Sequence, residues 1–277
     1  MNDLLREHAP ITADAWSEID AEAKRTLEVL LAARRLVDFT GPLGWSTSAI
    51  SNGRTETLSP PLQEGVASRI RRAQPLVEIR VAFELSRAEL DAIGRGALDA
   101  DLNPVRDAAR AAAIAEDRAV FQGYAAAGIE GIFRASSQQA LTIPEEYELY
   151  PDVVAEATHR LRSMGISGPY AIALGPRCYT GLTRSTTRGY PIIDHVRELV
   201  HGPIVWAPAA DGAVVMSMRG GDFELAVGQD FSIGYLEHTS ASVRLYLQES
   251  FTFRVLTPEA AVPLTYRAAA KGAAEAK

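Results

Sequence analysis

The chain has 277 residues, 47% hydrophobic and 23% charged, with 28 Lys and Arg against 35 Asp and Glu for a formal net charge of −7. Such length and apolar content suit one or two domains with a buried core and exclude a disordered polymer, while the acidic balance argues against nucleic acid as the main partner. No apolar run approaches the ~18 residues of a membrane helix. MNDLLREHAP lacks the basic-then-apolar order of a secretory signal, and a single cysteine, Cys178, fits a reducing, cytoplasmic setting.

The first helix is signalled by Thr12 as N-cap, with Ile11 before it and Trp16 after it at the spacing of a hydrophobic staple. Trp16, Ile19, Ala23, Leu27, Leu30 and Leu31 recur at helical spacing, and Arg34 and Arg35 are expected near the C-terminal end, where cations suit the helix dipole. Residues 46–74 change texture: Ser, Thr, Asn, Gly and Pro dominate, with Pro60-Pro61 in the middle, which predicts a loop or a two-stranded arm. Pro75 to Leu85 alternates as a strand. Asn103-Pro104 predicts an N-cap followed by proline at the first helical position. The alanine-rich helix it opens should run to about Gln122, with Gly123 ending it.

A further helix is expected after Pro151-Asp152, closed by Gly165. Short strands at 170–174, 204–206 and 213–218 then alternate with helical segments near 176–184 and 191–200, the pattern of a mixed α+β lobe. Phe223, Leu225 and Val227 alternate, as do Phe231, Ile233 and Tyr235, with Gly228-Gln229-Asp230 read as the turn between them. From Val243 to Val255 every second residue is apolar except Glu249, which pairs with an arginine or marks where that face meets solvent or a neighbour. A strand of that length spans roughly 43 Å, more than twice the usual strand. Residues 266–277 lack periodicity and read as a mobile tail.

No constellation of catalytic residues emerges. His8, His159, His195, His201 and His238 form no metal-ligand spacing. Asp99, Asp101 and Asn103 open like a calcium loop, but Pro104 and Arg110 stand where glycine and glutamate are needed. Gly94-Arg95-Gly96 lacks the third glycine of a dinucleotide fingerprint, and Cys178 has no partner histidine. The expectation is a protein that is not an enzyme and holds no metal.

Several blocks in register carry a resemblance. GGDFELAVGQDFSIGY (Gly220 to Tyr235) and VRLYLQESFTF (Val243 to Phe253) resemble the C-terminal block of the encapsulins, linocin-like nanocompartment shell proteins related to tailed-phage major capsid proteins. APITADAWSEID, RRLVDFTGPLGW, PLVEIRVAFELSRAELDAIGRG, EDRAVFQGYAAAGIEGI, GPYAIAL and GYPIIDHVREL agree in the same order, so the likeness covers roughly residues 8 to 265.

The resemblance implies an α+β, Hong-Kong-97-type capsid fold. Residues 1–45 would hold the N-terminal helix, 46–74 an extended arm, 75–134 a peripheral domain with the spine helix, 135–220 an axial domain, and 221–265 the peripheral ribbon, ahead of the tail. It implies self-assembly into an icosahedral shell of roughly sixty copies, with larger shells open. The shell would enclose a cargo enzyme in the cytoplasm; a dye-decolorising peroxidase or an iron-storing ferritin-like protein is the usual cargo, with roles in iron storage or oxidative stress.

Cargo is held, in the family, by its C-terminal peptide, and the carry-over places Leu27, Leu31, Arg34 and Asp38 opposite Asp230, Ile233 and Tyr235. Plain intrachain packing is the alternative for the same residues. The loop carrying Arg184, Thr186, Thr187, Arg188 and Tyr190 matches the family's five-fold pore. Some members stack a flavin on an aromatic in the segment matching Ser86-Arg87-Ala88; Arg87 stands there, so no cofactor is expected. A peptidase or bacteriocin-like activity, or a phage capsid subunit, are the other readings.

Overall fold

The computed structural model describes residues 3–187 and 189–267. They divide into two compact units, the first formed by residues up to 131 together with 223–254, the second by 132–222 and the residues from 255 onward.

In the first unit, α1 (Ala13–Leu30) starts where Thr12 Oγ1 accepts the Ala15 N–H at 3.3 Å. It buries Ala15, Ile19, Ala23, Leu27 and Leu30 along one side. Trp16 is only half-buried, beneath the Arg6 guanidinium at 3.9 Å from its ring centre. The helix stops at Leu30, so Arg34 and Arg35 are not in its last turn as the dipole argument expects. They lie in a 3-10 turn, Ala33–Arg35. Asp117 holds that turn: its two carboxylate oxygens accept the N–H groups of Ala32 and Ala33 at 2.9 and 3.0 Å.

After β1 (Asp38–Thr40) come β2 (Ala49–Thr57) and β3 (Arg69–Pro75), which pair antiparallel. Of the two forms open to residues 46–74, the chain takes the two-stranded arm. Its apolar residues Leu58, Leu62, Val66 and Ile70 are exposed, Leu62 at 91%. The strand β4 (Val77–Ser86) and helix α2 (Arg87–Gly94) lead to α3 (Asn103–Phe121), which packs on α1. Asn103 is not the N-cap: Leu102 is, and the Asn103 side chain instead accepts from Arg106 at 2.7 Å while its N–H donates to Asp101. Ala108, Ala109, Ala112 and Ala113 are buried, and such small side chains let a neighbouring helix approach closely. Gly123, at φ +89°, ends the helix; a Cβ there would sit 2.7 Å from the Gly131 nitrogen.

The second unit contains α4 (Ile132–Ala135), β5 (Leu141–Thr142), α5 (Tyr150–Ser163), β6 (Tyr170–Leu174), α6 (Pro176–Arg184), β7 (Thr186–Thr187), β8 (Tyr190–Pro191), α7 (Ile192–Val200), β9 (Ile204–Trp206) and β10 (Ala213–Ser217). The strands β6 and β10 are buried at every position, as expected of apolar runs covered on both faces.

The chain returns to the first unit with β11 (Phe223–Val227), β12 (Ser232–His238) and β13 (Ser242–Val255). Gly228-Gln229-Asp230 does not fold β11 back onto β12. The sheet order is β1-β11-β13-β12, with β4 also on β13, and β11 pairs parallel with β1. The triplet is tied to β13: Gly228 donates to Ser250 O at 2.7 Å, Ser250 donates to Gln229 O at 3.0 Å, and the Gln229 N–H meets Ser250 Oγ at 2.9 Å. A Cβ on Gly228 would lie 2.6 Å from Ser250 Oγ, so glycine is needed for that approach.

The alternation of β13 places one face inward, yet Tyr246, Gln248, Ser250 and Thr252 are buried on the other as well. Gln248 is partnered by Arg80 and Gln229, and Arg80 lies 4.1 Å from the Tyr246 ring centre. Polar partners thus make burial of Tyr246, Gln248 and Ser250 tolerable, while the buried Thr252 hydroxyl has no partner among the described residues.

The last strand, β14 (Ala261–Thr265), departs from the division drawn in sequence, which groups it with the ribbon. It enters the second unit's sheet, order β5-β14-β10-β6-β9, antiparallel to β10 with Val215 opposite Val262. Ala261, Val262 and Leu264 are fully buried there.

Candidate functional site

The exposed flank of α1, the segment before it and the start of β12 enclose a groove of about 650 Å³ within the first unit. Leu27 and Leu31 come from α1 and its end, Ile233 from β12, Leu247 from its cross-strand partner, and Leu4 from the N-terminal segment. Ile233 and Leu247 are directly opposite each other, so their side chains share one sheet face. Leu27 and Leu31 meet that face because they lie four residues apart on one helical side.

Five of the seven peptide-contact candidates, Leu27, Leu31, Arg34, Asp230 and Ile233, line this groove. Leu27, Leu31 and Ile233 are buried, while Arg34 and Asp230 keep part of their side chains exposed at the cleft. Asp38 and Tyr235 are not among its lining residues. Asp38 is exposed on β1, and the Tyr235 hydroxyl lies 2.5 Å from His238 Nδ1. Alternation on β12 puts Tyr235 on the same face as Ile233, but its ring turns along the strand to His238, 5.9 Å away between centres.

Arg34 is the electrostatic centre. Its guanidinium donates to Glu116 at 2.6–3.1 Å and to Asp230 at 2.8 Å, and also pairs with Glu249. The rings of Phe39 and Phe231 flank it at 5.1 and 5.0 Å. Burial alone would lower its affinity for a proton, but Glu116, Glu249 and Asp230 outweigh that and raise it, so the cation is fixed.

Glu249 is therefore paired with an arginine, one of the alternatives its place on the apolar face leaves open. It is fully buried, and one of its oxygens, Oε2, has no partner among the described residues. Burial, and then the nearby Glu116, push its carboxyl well above the ordinary range, as expected when two carboxyls face one cation out of water. Asp117, also buried, is pushed up to about 7 by burial, with the Ala33 N–H opposing. Sequence reading passes over Glu116 and Asp117, and only their place in an alanine-rich helix hints at a special role.

Of the other charges on the groove, Arg6 pairs with Asp20 at 2.7 Å and Lys24 with Glu28 at 3.8 Å, while the exposed Arg35 lines it without an ion pair among the described residues. No group of three or more metal-ligating side chains occurs among the described residues.

In the second unit, Arg184 ends α6 and lines an open recess with Tyr147, Arg177 and Thr180. Thr186–Thr187 pairs with Tyr190–Pro191 in a small hairpin, and Tyr190 stacks on His195 at 5.0 Å. Arg188 lies outside the described residues. Arg87 faces the carbonyl of Thr239 at 3.4 Å.

Two compact units, an exposed two-stranded arm and a sheet built on one very long strand make up a capsid-type fold. Solved structures agree on the fold. The virus-like particle from Pyrococcus furiosus superposes with a TM-score of 0.65 at 14% identity, covering 90% of this chain and 99% of that one. A chain of Gordonia phage Cozz does so at 0.57 and 14%, covering 87% of each.

The chain belongs to the Linocin_M18 family, described as encapsulating protein for peroxidase, whose model matches residues 1–252. It is 58% identical over 270 residues to the type 1 encapsulin shell protein of Rhodospirillum rubrum, covering 95% of this chain and 96% of that one. It is 48% identical over 266 residues to that of Mycobacterium tuberculosis, covering 96% and 100%. It is thus a self-assembling nanocompartment shell protein, a structural role.

Proposed function

We propose that this shell, an icosahedral assembly of roughly sixty copies, takes up an enzyme whose C-terminal peptide docks in the groove between α1 and β12. The observation that carries the reading is the convergence of Leu27, Leu31, Arg34, Asp230 and Ile233 on one cleft from segments distant in sequence. An apolar floor with paired charges at its edges suits an extended peptide with aliphatic anchors. The family description supports a peroxidase as cargo, with a ferritin-like protein the alternative. The shell works in the cytoplasm; no helix among the described residues is long and apolar enough to cross a membrane. Arg184, Thr186, Thr187 and Tyr190 rim the pore through which small molecules or ions pass. Arg87 stands where some members carry an aromatic for a flavin, so no flavin stacking is expected at this position.

The test is Ile233→Asp, which places an unpaired carboxylate on the groove floor. Co-expressed with a peroxidase that carries a C-terminal targeting peptide, the variant should form shells of normal size and emerge with little cargo. Wild-type loading moves the docking site elsewhere, and failure of both assembly and loading makes Ile233 a core residue only.

A further inference from the structure

The chain ahead of α1 is tied down beside the groove, with Leu4 and Arg6 on its wall. On the sheet side, the Tyr235 N–H donates to the Leu4 carbonyl at 2.8 Å. The Gln229 amide donates to the Asp3 carboxylate at 2.7 Å, and the Tyr246 hydroxyl to the Asp3 carbonyl at 3.3 Å. On the helix side, Arg6 pairs with Asp20 at 2.7 Å and lies 3.9 Å from the Trp16 ring centre. Residues 3–8 thus bridge β12 and α1, the two elements that bound the groove.

That fastening is weak. Leu4 is only half-buried, and no residue of the 3-10 turn Arg6–His8 is buried. The Arg6 and Asp20 side chains are 29% and 48% exposed, and an ion pair so open to water contributes little. Leu5 stands at φ +51°, ψ +27°, a left-handed conformation that strains any residue with a branched or bulky side chain. Its own side chain is exposed and gains no burial in return. A segment with few buried apolar contacts opens at a lower free energy than the body of its domain. Leu27, Leu31, Ile233 and Leu247 are buried parts of that body and stay in place.

We infer, on the docking reading above, that residues 3–8 form a strap that competes with the cargo for the groove. Closed, the strap sets Leu4 against the groove wall and takes up part of its length. Cargo gains the whole groove only when the strap lifts, with Leu5 as the hinge. The affinity measured is then the intrinsic affinity scaled by the fraction of subunits whose strap is open. The bonds of Asp3 and Arg6 lower that fraction, and the strain at Leu5 raises it. A strap open in about one subunit in ten weakens capture about tenfold. The shell thus carries its own threshold for what it loads.

The probe is a fluorescent synthetic peptide copied from the C-terminus of the peroxidase used above, captured as dissociated shells reassemble. Asp3→Ala combined with Arg6→Ala frees the strap and should tighten capture about tenfold. Leu5→Asn suits the left-handed conformation, holds the strap closed and should weaken capture about fivefold. The N–H groups of His8 and Ala9 donate to the Leu5 and Arg6 carbonyls at 3.0 and 3.1 Å, so their hydrogen exchange should speed up in peptide-loaded shells. Capture that the double variant weakens or leaves unchanged, or exchange that slows on loading, overturns the strap. Shells of Ile233→Asp separate the two readings. If that substitution abolishes capture while the strap variants do not move it, the groove stands and the strap falls. If Ile233→Asp captures like the parent, the groove reading fails and the strap with it.

Discussion

Replacing Arg34 by alanine is the sharpest perturbation of this subunit. Arg34 is the shared partner of Glu116 and Glu249, both 0% exposed on their side chains. Without it the two carboxyls face each other in the core, one of them with an oxygen that already lacks a partner. Removing one partner of a buried ion pair typically costs about 3–5 kcal/mol, because the stranded charge is not resolvated. Proton uptake by Glu249 offsets part of this, since burial already favours its neutral form. Asp230, with 42% of its side chain exposed, regains water and adds little. The expected loss is about 3 kcal/mol, which lowers the melting temperature by roughly 6–12 °C for a protein of this size. Differential scanning calorimetry of purified shells reads it directly. A second variant fixes the cause: Arg34→Met combined with Glu116→Gln and Glu249→Gln removes the cation and both charges and should recover most of the loss. An Arg34→Ala shell melting within 2 °C of the parent, a shift below the ~1 kcal/mol scale, would refute the reasoning, as would failure of the triple variant to recover.

Two further outcomes follow from the same structure. Asp117 has an ordinary value of 3.8 and a folded value of about 7, raised by burial. A raised carboxyl stabilises the fold fully below its unfolded value and loses that contribution as pH rises through the folded one. Denaturant midpoints should therefore fall from pH 4 to about 7, and Asp117→Asn should flatten that slope; an unchanged slope rules Asp117 out as its source. Deleting residues 50–70 removes an arm whose Leu58, Leu62, Val66 and Ile70 are exposed in the single chain. It should leave soluble subunits that do not close into shells by negative-stain microscopy, and uniform particles from the deleted chain would show that the arm is dispensable.

Local signals were sufficient wherever one stretch of chain decides its own form. Thr12 caps α1 as its position demands, the alternation from Val243 onward yields a strand, and the alanines of α3 mark a face for close packing. Glu249 stood out in sequence as the polar residue on an apolar face. Its partner did not, because Arg34 is 215 residues away and only folding brings β13 beside the 3-10 turn that carries it. Glu116 and Asp117 looked like ordinary helix acids, since burial is a property of the neighbours rather than of the residue. The groove was legible only through resemblance; five of the seven residues drawn from it line the cleft, and Asp38 and Tyr235 are not among its lining residues. The triplet after β11 and the final strand were misjudged for a shared reason. Alternation says that a segment is extended, but which strand it pairs with is settled by long-range hydrogen bonds: those of Ser250 to Gly228 and Gln229, and those between β14 and β10. Sequence by itself determined the elements and the family. Tertiary structure alone decided which charges share a buried arginine and which strand each extended segment pairs with, because both depend on groups that meet only once the chain is folded.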